Sequence, residues 1–372
     1  MSGSSVSIEL AGPRGERDSF VTDSGRRLRV VVATPLSEQN GRLIEEAEPR
    51  VELVHDAALL PPMRHPADHE GDPTFRRTPE QQGRFDELLA SAEVLYGIPG
   101  ADPAALKRAV DANPGLRWVQ TMAAGGGGQV KAANLTDEQL QRVAFTTSAG
   151  VHGGPLAEFA VFGVLAGAKT LPRLTAQQRA HEWSGRWQMA QVSEQTVLVL
   201  GLGGIGAEVA RLLAALGATV IGTSRRPVEV PGVSRVIHPD DILAVAPSID
   251  AVVSTLPGTA ATTGMLGAPF FAAVKPGVTV VNVGRGTVVD EPALVEALRS
   301  RSVGFAALDV FASEPLDAGS PLWDLPNVLV SPHTAALNDS EERRIAELFA
   351  DNATRYLDGR ELVNRVDTVE FY

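Results

Sequence analysis

No cysteine occurs among the 372 residues of this chain, which excludes disulfides, thiolate metal sites and cysteine nucleophiles together. No apolar run approaches the roughly 18 residues that a membrane span requires. The first residues also lack the basic-then-apolar pattern of a secretory signal. A cytoplasmic protein without a membrane partner is therefore expected. A basic excess is missing too: the formal net charge is −12, so a nucleic-acid backbone is an unfavourable partner.

What is present is a globular balance of 44% hydrophobic and 21% charged residues, on a chain long enough for two cores. Residues 1–26, rich in Gly, Ser and charge, read as a flexible tail. Strand-like runs then recur at 28–33, 51–54, 93–96, 117–121 and 143–146, with helical stretches at 39–47, 81–91 and 103–111. This alternation predicts an α/β unit with a parallel sheet. A long apolar helix over 155–171 leads to a second set of strands at 196–200, 218–223, 251–255, 278–283, 304–310 and 328–331. An amphipathic helix over 340–357 closes the chain and is expected to pack back on the first unit. The expected division is a substrate domain from residues 27–153 and 334–372, with a Rossmann domain inserted at 154–333. Both are doubly wound α/β sheets, and the site lies in the cleft between them. The pair His65 and His69 has metal-like spacing, but no third ligand is near it in sequence, so no metal site is expected.

The stretch Val197-Leu-Val-Leu-Gly-Leu-Gly-Gly-Ile-Gly206 carries the strongest signal. An apolar strand feeds a tight turn at Gly201, Gly203 lets the backbone approach a pyrophosphate, and Gly206 lets the next helix pack on the strand. That helix aims free N–H groups at the anion. A strand–turn–helix–strand context is what gives such a glycine pattern its meaning. After the second strand comes another absence. Where a site for NAD usually carries a carboxylate against the ribose, this chain reads Thr223-Ser-Arg-Arg226. Arg225 and Arg226 would grip a 2′-phosphate that a carboxylate would repel, which favours NADP over NAD. A solvated basic loop is the plainer reading of the same residues.

Three further motifs fall at the ends of late strands, where open α/β sheets bind ligands. Arg285 lies between Gly284 and Gly286, which read as freeing the backbone to aim a guanidinium fork at a carboxylate. Asp309 and Glu314 lie at and beyond the next strand, and His333 follows the last one. A carboxylate beside an imidazole favours the imidazolium, which can hand a proton to a carbonyl oxygen during hydride transfer.

These motifs, in this order, resemble those of the D-isomer-specific 2-hydroxyacid dehydrogenases, a family that includes phosphoglycerate dehydrogenases and glyoxylate/hydroxypyruvate reductases. The resemblance is strongest at 201–206, 282–298, 308–316 and 321–336. It implies that Arg285 binds the substrate carboxylate, that His333 is the acid/base and that Glu314 is its partner. It also puts Gly204 and Ile205 on the pyrophosphate and Leu256 and Pro257 on the adenosine side. Val283, Gly284, Asp309 and the turn His333, Thr334, Ala335 and Ala336 would line the nicotinamide side. Ser224, Arg225 and Arg226 resemble the basic loop of the NADPH-dependent reductases. The family's substrate loop usually reads Ala-Gly-Val-Asp; here Ala124, Gly125 and Gly126 open a run of four glycines, which predicts a floppy loop. His152 falls at the hinge into the long apolar helix.

The implied activity is hydride transfer between NADP(H), or NAD(H), and C2 of a small 2-oxo or 2-hydroxy acid, D-specific and of glyoxylate/hydroxypyruvate reductase type. Alternatives are a dinucleotide-sensing regulatory protein of the same fold and an NAD-linked phosphoglycerate-type dehydrogenase. A homodimer is expected from the apolar helix and the nearby pair Trp183 and Trp187.

Overall fold

The computed structural model describes residues 27–369 and 371; the tail expected at 1–26 lies outside the described residues. Short runs rich in Val, Leu and Ile, buried on both faces, form two all-parallel sheets, the usual outcome when helices cover both sides. The first has the order β2-β1-β3-β4-β5, from β1 (Leu28–Val32), β2 (Val51–Val54), β3 (Val94–Tyr96), β4 (Trp118–Gln120) and β5 (Ala144–Thr146). The second has the order β12-β11-β10-β9-β6-β7-β8. Its strands are β6 (Thr196–Leu200), β7 (Thr219–Thr223), β8 (Arg235–Ile237), β9 (Ala251–Ser254), β10 (Val278–Asn282), β11 (Val303–Leu308) and β12 (Val328–Val330). The three-residue edge strand β8 was not legible in the sequence, because only Val236 and Ile237 are apolar between charged and polar neighbours.

The chain leaves the first sheet after β5, builds the second, and returns through the helix Glu341–Leu357. Ile345, Ala346, Phe349, Ala353 and Leu357 of that helix share one core with Val30, Leu95, Trp118 and Phe145. Phe349 stacks on Trp118 at 4.9 Å and meets Tyr96 edge-on at 5.1 Å. Its amphipathic pattern is therefore used against strands that lie far earlier in the chain, from Leu28 to Thr146.

The apolar segment expected as one helix at 155–171 is two. A helix over Gly153–Ala168 ends where Thr170 takes φ 51°, and a second over Leu171–Arg179 sets off at 69° to it. Pro172, which has no backbone N–H to offer, opens the second helix. The first lies against the second sheet, where a Cβ on Gly167 would meet Thr279 at 2.1 Å and one on Gly163 would meet Val281 at 2.8 Å. Small residues thus let the helix approach the strands closely. Phe162 on the opposite side is 46% exposed. Among the described residues no single helix is long and apolar enough to cross a membrane.

A buried carboxylate pins the returning helix. Glu48, at the end of the helix Glu38–Ala47, accepts from Arg50 Nε at 2.8 Å, Arg50 Nη2 at 2.7 Å and Thr354 Oγ1 at 2.8 Å. Arg50 also reaches Asp358 at 2.9 Å. The Arg50 hydrogen bonds outweigh the opposing effect of burial, and with help from Thr354 they lower the Glu48 carboxyl to about 2. A carboxyl held below its unfolded value of 4.5 contributes stability above that pH and loses it as the pH falls towards 2. Glu48→Gln is therefore expected to destabilise the fold by about 1–3 kcal/mol near neutrality. Thermal unfolding of both proteins across pH should show the difference closing between about pH 4.5 and 2. A gap that does not change with pH would contradict this account.

Candidate active site

The strand ends of the second sheet open onto a cleft of about 1160 Å³, whose far wall comes from the first sheet. The glycine turn, through Gly203, Gly204, Ile205 and Gly206, forms one side. Gly201 takes φ +89°, and its N–H donates to Thr223 Oγ1 at 2.9 Å. A Cβ on Gly206 would lie 1.8 Å from the Gly201 carbonyl oxygen, so the helix Gly204–Ala215 can start there only with glycine. No side chain caps this helix, and Gly203 and Gly204 have open space where a Cβ would stand. Bare N–H groups at a helix start, with room in front of them, suit a pyrophosphate.

Arg285 follows β10. The glycines beside it serve close packing rather than the backbone freedom expected from sequence. A Cβ on Gly284 would meet the Leu256 oxygen at 2.5 Å, and one on Gly286 would meet the Phe311 carbonyl carbon at 1.8 Å. Asn282 ties off this turn, its amide donating to the Arg285 oxygen at 3.0 Å while its Oδ1 accepts from Gly284 N at 3.1 Å. The guanidinium donates to the Gly284 oxygen at 2.8 Å and makes no ion pair among the described residues. A Cβ on Gly125 would lie 2.8 Å from Arg285 Nη2, so the glycine run gives the fork its room.

Asp309 is fully buried beyond β11. Its Oδ1 accepts from Ser331 Oγ at 2.6 Å, from Thr334 N at 3.0 Å and from Ala335 N at 3.1 Å. His333 N donates to the Asp309 oxygen at 2.9 Å and holds φ 54°, a left-handed conformation uncommon for histidine. The other carboxylate atom, Asp309 Oδ2, is buried without a partner and borders the cleft. An orphaned acceptor there fits the amide group of a nicotinamide.

His333 and Glu314 form a pair, Nδ1 to Oε2 at 2.7 Å, with the histidine side chain 48% exposed. Glu314 Oε1 accepts from Phe311 N at 3.0 Å. Burial opposes its ionisation, yet the hydrogen bonds from His333 and Phe311, with the charges of His333 and Arg285, hold the carboxyl below its ordinary range. Glu314 is thus a carboxylate at neutral pH.

Of the residues singled out in sequence, Gly203, Gly204, Ile205, Gly206, Leu256, Pro257, Val283, Gly284, Arg285, Asp309, His333, Ala336, Ala124 and Gly125 line this one cleft. Thr334 and Ala335 spend their N–H groups on Asp309, and Gly201 lies behind the turn. Gly126 turns away from the cleft: it is buried, and a Cβ there would meet Thr121 Oγ1 at 1.7 Å. The glycine run does not form a loose loop, since Gly127–Ala132 is helical. Ser224, Arg225 and Arg226 line a separate hollow of about 560 Å³ with His238 and Glu229. Both arginines are exposed and form no ion pair among the described residues, so their charge is available to a ligand.

The first domain's share of the cleft was largely missed. Arg64, Asp68, His69, Met122, Gln129, His152, Glu341 and Asn364 also line it. His65 and His69 drew notice only for their spacing. His65 is exposed, whereas His69 borders the cleft with both ring nitrogens buried. The site sets glycine-rich turns for a dinucleotide beside a guanidinium fork and an imidazole–carboxylate pair.

A model of the NAD binding domain of D-isomer specific 2-hydroxyacid dehydrogenases matches residues 161–335. The chain is 32% identical over 299 residues to glyoxylate/hydroxypyruvate reductase B of Yersinia enterocolitica, covering 77% of this chain and 88% of that protein. Among solved structures it is similar to a D-isomer specific 2-hydroxyacid dehydrogenase of Xanthobacter autotrophicus Py2 in complex with NADPH and MES. That likeness has 30% identity and a TM-score of 0.73, over 93% of this chain and all (100%) of the other. It also resembles an NADPH-dependent glyoxylate/hydroxypyruvate reductase of Sinorhizobium meliloti in complex with NADP and sulfate, at 27% identity and a TM-score of 0.73. Coverage there is 93% of this chain and 100% of the other.

Proposed function

The chain belongs to the D-isomer specific 2-hydroxyacid dehydrogenase family, and on that premise we propose that it reduces the C2 carbonyl of a small 2-oxo acid, of glyoxylate or hydroxypyruvate type, with NADPH preferred over NADH. The observation that carries this reading is the His333–Glu314 pair at 2.7 Å in the same cleft as Arg285 and the glycine turn. The names of the similar reductases support the substrate class, and the NADPH and NADP held by two structural relatives support the cofactor.

When bound, the nicotinamide dinucleotide supplies the hydride. Gly203, Gly204, Ile205 and Gly206 would hold its pyrophosphate, Leu256 and Pro257 its adenosine side, and Val283, Asp309 and the 333–336 turn its nicotinamide. Arg285 anchors the substrate carboxylate with a planar fork and draws charge from the carbonyl. Ala124 and Gly125 close the other side of the carboxylate. His333 spends Nδ1 on Glu314, which leaves Nε2 to give its proton to the carbonyl oxygen as that oxygen gains charge. Glu314, ionised throughout the neutral range, keeps the imidazole oriented through its 2.7 Å bond to Nδ1. The imidazole then recovers a proton from water. The family-level alternative of an NAD-linked phosphoglycerate-type enzyme has no carboxylate against the ribose to support it in Thr223-Ser-Arg-Arg226. A cytoplasmic location belongs to the same proposal.

A homodimer is proposed from the apolar surface that the second domain leaves uncovered. Trp183 is 100% exposed and Phe162 is 46% exposed beside the helix Leu171–Arg179. Arg173 lies over the Trp187 ring at 3.9 Å, so that indole is already partnered and the exposed Trp183 is the better anchor. Light scattering at micromolar concentration should give twice the chain mass, and Trp183→Ser should shift the equilibrium towards monomer; a monomeric parent protein would remove the proposal.

Replacing both Arg225 and Arg226 by alanine should raise KM for NADPH at least tenfold and leave KM for NADH nearly unchanged, because only the 2′-phosphate needs their charge. Equal losses for both cofactors would sink the preference for NADP.

His333→Ala should lower kcat by about 10²–10⁴ while NADPH still binds, as fluorescence titration would show. In Glu314→Gln the shape remains but the ionised partner that orients the imidazole goes, so kcat should fall while NADPH binding stays near that of the parent. Near-normal turnover of a good 2-oxo acid by His333→Ala would refute the chemistry.

A further inference from the structure

His69 lines the cleft but has no part in proton or hydride transfer. Both its ring nitrogens are buried, and neither has a hydrogen-bond partner. The loop that carries it is firmly held. Asp68 accepts from Arg64 Nε at 2.7 Å, Arg64 Nη2 at 2.9 Å and Gly71 N at 3.1 Å, and the His69 carbonyl accepts from Thr34 Oγ1. Gly71 takes φ +72° where a Cβ would run into Pro61 at 2.6 Å. The imidazole is thus presented to the cleft by a built loop.

Behind it stands a second unsatisfied pair. His152 Nε2 meets Glu341 Oε1 at 2.8 Å, while His152 Nδ1 and Glu341 Oε2 are buried without partners. His152 and Glu341 line the same cleft, and Glu342, also buried, is near enough to act electrostatically on His69. Burial holds the His69 imidazole below its ordinary range, so the ring is neutral and offers one donor and one acceptor. Buried groups of this kind are ordinarily satisfied, and an orphan in a cleft calls for a ligand that pairs with it.

The chemistry of that ligand follows from the charges. Arg64 is committed to Asp68, so no free cation faces His69 from its own loop. Glu341 and Glu342 put acidic rather than basic side chains on that side, which disfavours a second anionic group on the substrate. A hydroxyl both donates and accepts, matching a neutral imidazole. We propose that His69, with His152 and Glu341 behind it, reads the part of the substrate beyond C2 and selects a hydroxyl over a hydrogen or a second anionic group. This rests on the 2-oxo acid reductase reading above, and it makes His69 a specificity-determining residue and no part of the acid/base pair.

The test compares kcat/KM on matched substrates that differ by one hydroxyl, hydroxypyruvate with pyruvate and 4-hydroxy-2-oxobutyrate with 2-oxobutyrate, and adds oxaloacetate as the anionic probe. The parent enzyme should favour the hydroxylated member of at least one pair by about tenfold or more, since a site built to hydrogen-bond a hydroxyl rejects the analogue without it. Oxaloacetate should be the poorest substrate. His69→Leu should bring the hydroxyl preference down towards one, with the heavier loss on the hydroxylated member, and His69→Asn should keep part of the preference. NADPH titration of each variant reports on folding, and the parent panel decides the matter if a variant fails to fold. Preferences near one in both pairs, or a preference that His69→Leu leaves intact, would overturn the inference alone. Failure of the parent to reduce any 2-oxo acid would overturn the reductase reading and this inference with it.

Discussion

Backbone packs directly against backbone at the strand ends of the second sheet, and the cleft takes its shape from that contact. Gly206 against Gly201, Gly284 against Leu256 and Gly286 against Phe311 each leave no room for a methyl group. An added Cβ at 1.8–2.5 Å from a neighbouring backbone atom would push apart the turns at Gly201–Gly206 and at Arg285. In an all-parallel sheet these turns all leave from the same edge, which is why a ligand crevice forms there. Three glycine contacts therefore set the separation between the turn at Gly201–Gly206 and the Arg285 guanidinium.

A polar anchor completes what the glycines begin. Asp309 gathers the Ser331 hydroxyl and the N–H groups of Thr334 and Ala335 on one buried oxygen, and its backbone takes the His333 N–H. These bonds hold His333 in a left-handed conformation that costs energy in isolation. Glu314 then fixes the ring itself from the neighbouring loop. The His333–Glu314 pair remains partly open to solvent, as the acid/base role proposed for it requires. His69, by contrast, borders the cleft with both ring nitrogens buried and unpaired, in keeping with the role proposed for it of reading a substrate without exchanging protons.

The two halves of the chain are tied by the returning helix. Its aromatic contacts on Trp118 and Tyr96 and the buried Glu48–Thr354 bond fasten its length to the first sheet. Its first residue, Glu341, meets His152 at the start of the helix Gly153–Ala168, which lies on the second sheet. The two crossings between domains are thus bonded to each other at the floor of the cleft.

Sequence alone determined whatever depends on local order. Unbroken apolar runs at strand length, the turn at Gly201–Gly206 and the residues directly after the late strands were legible because neighbours along the chain create them. Arg285, Asp309 and His333 could be found as strand-end residues, since a parallel sheet sends every strand end to one edge. The strand β8 carries no pattern, having only two apolar residues, and the break at Thr170 falls at the polar pair Lys169 and Thr170, which a helix can carry on its surface as readily as at its end. The role of Gly284 and Gly286 was misread, because a missing Cβ looks the same in sequence whether it frees a turn or admits a neighbouring backbone. Only tertiary structure decided that His69, His152 and Glu341 share a cleft with Arg285 and His333. These residues come from a loop, a hinge and the last helix, and burial of a polar ring leaves no periodic trace along the chain, because it depends on which distant segments close over it.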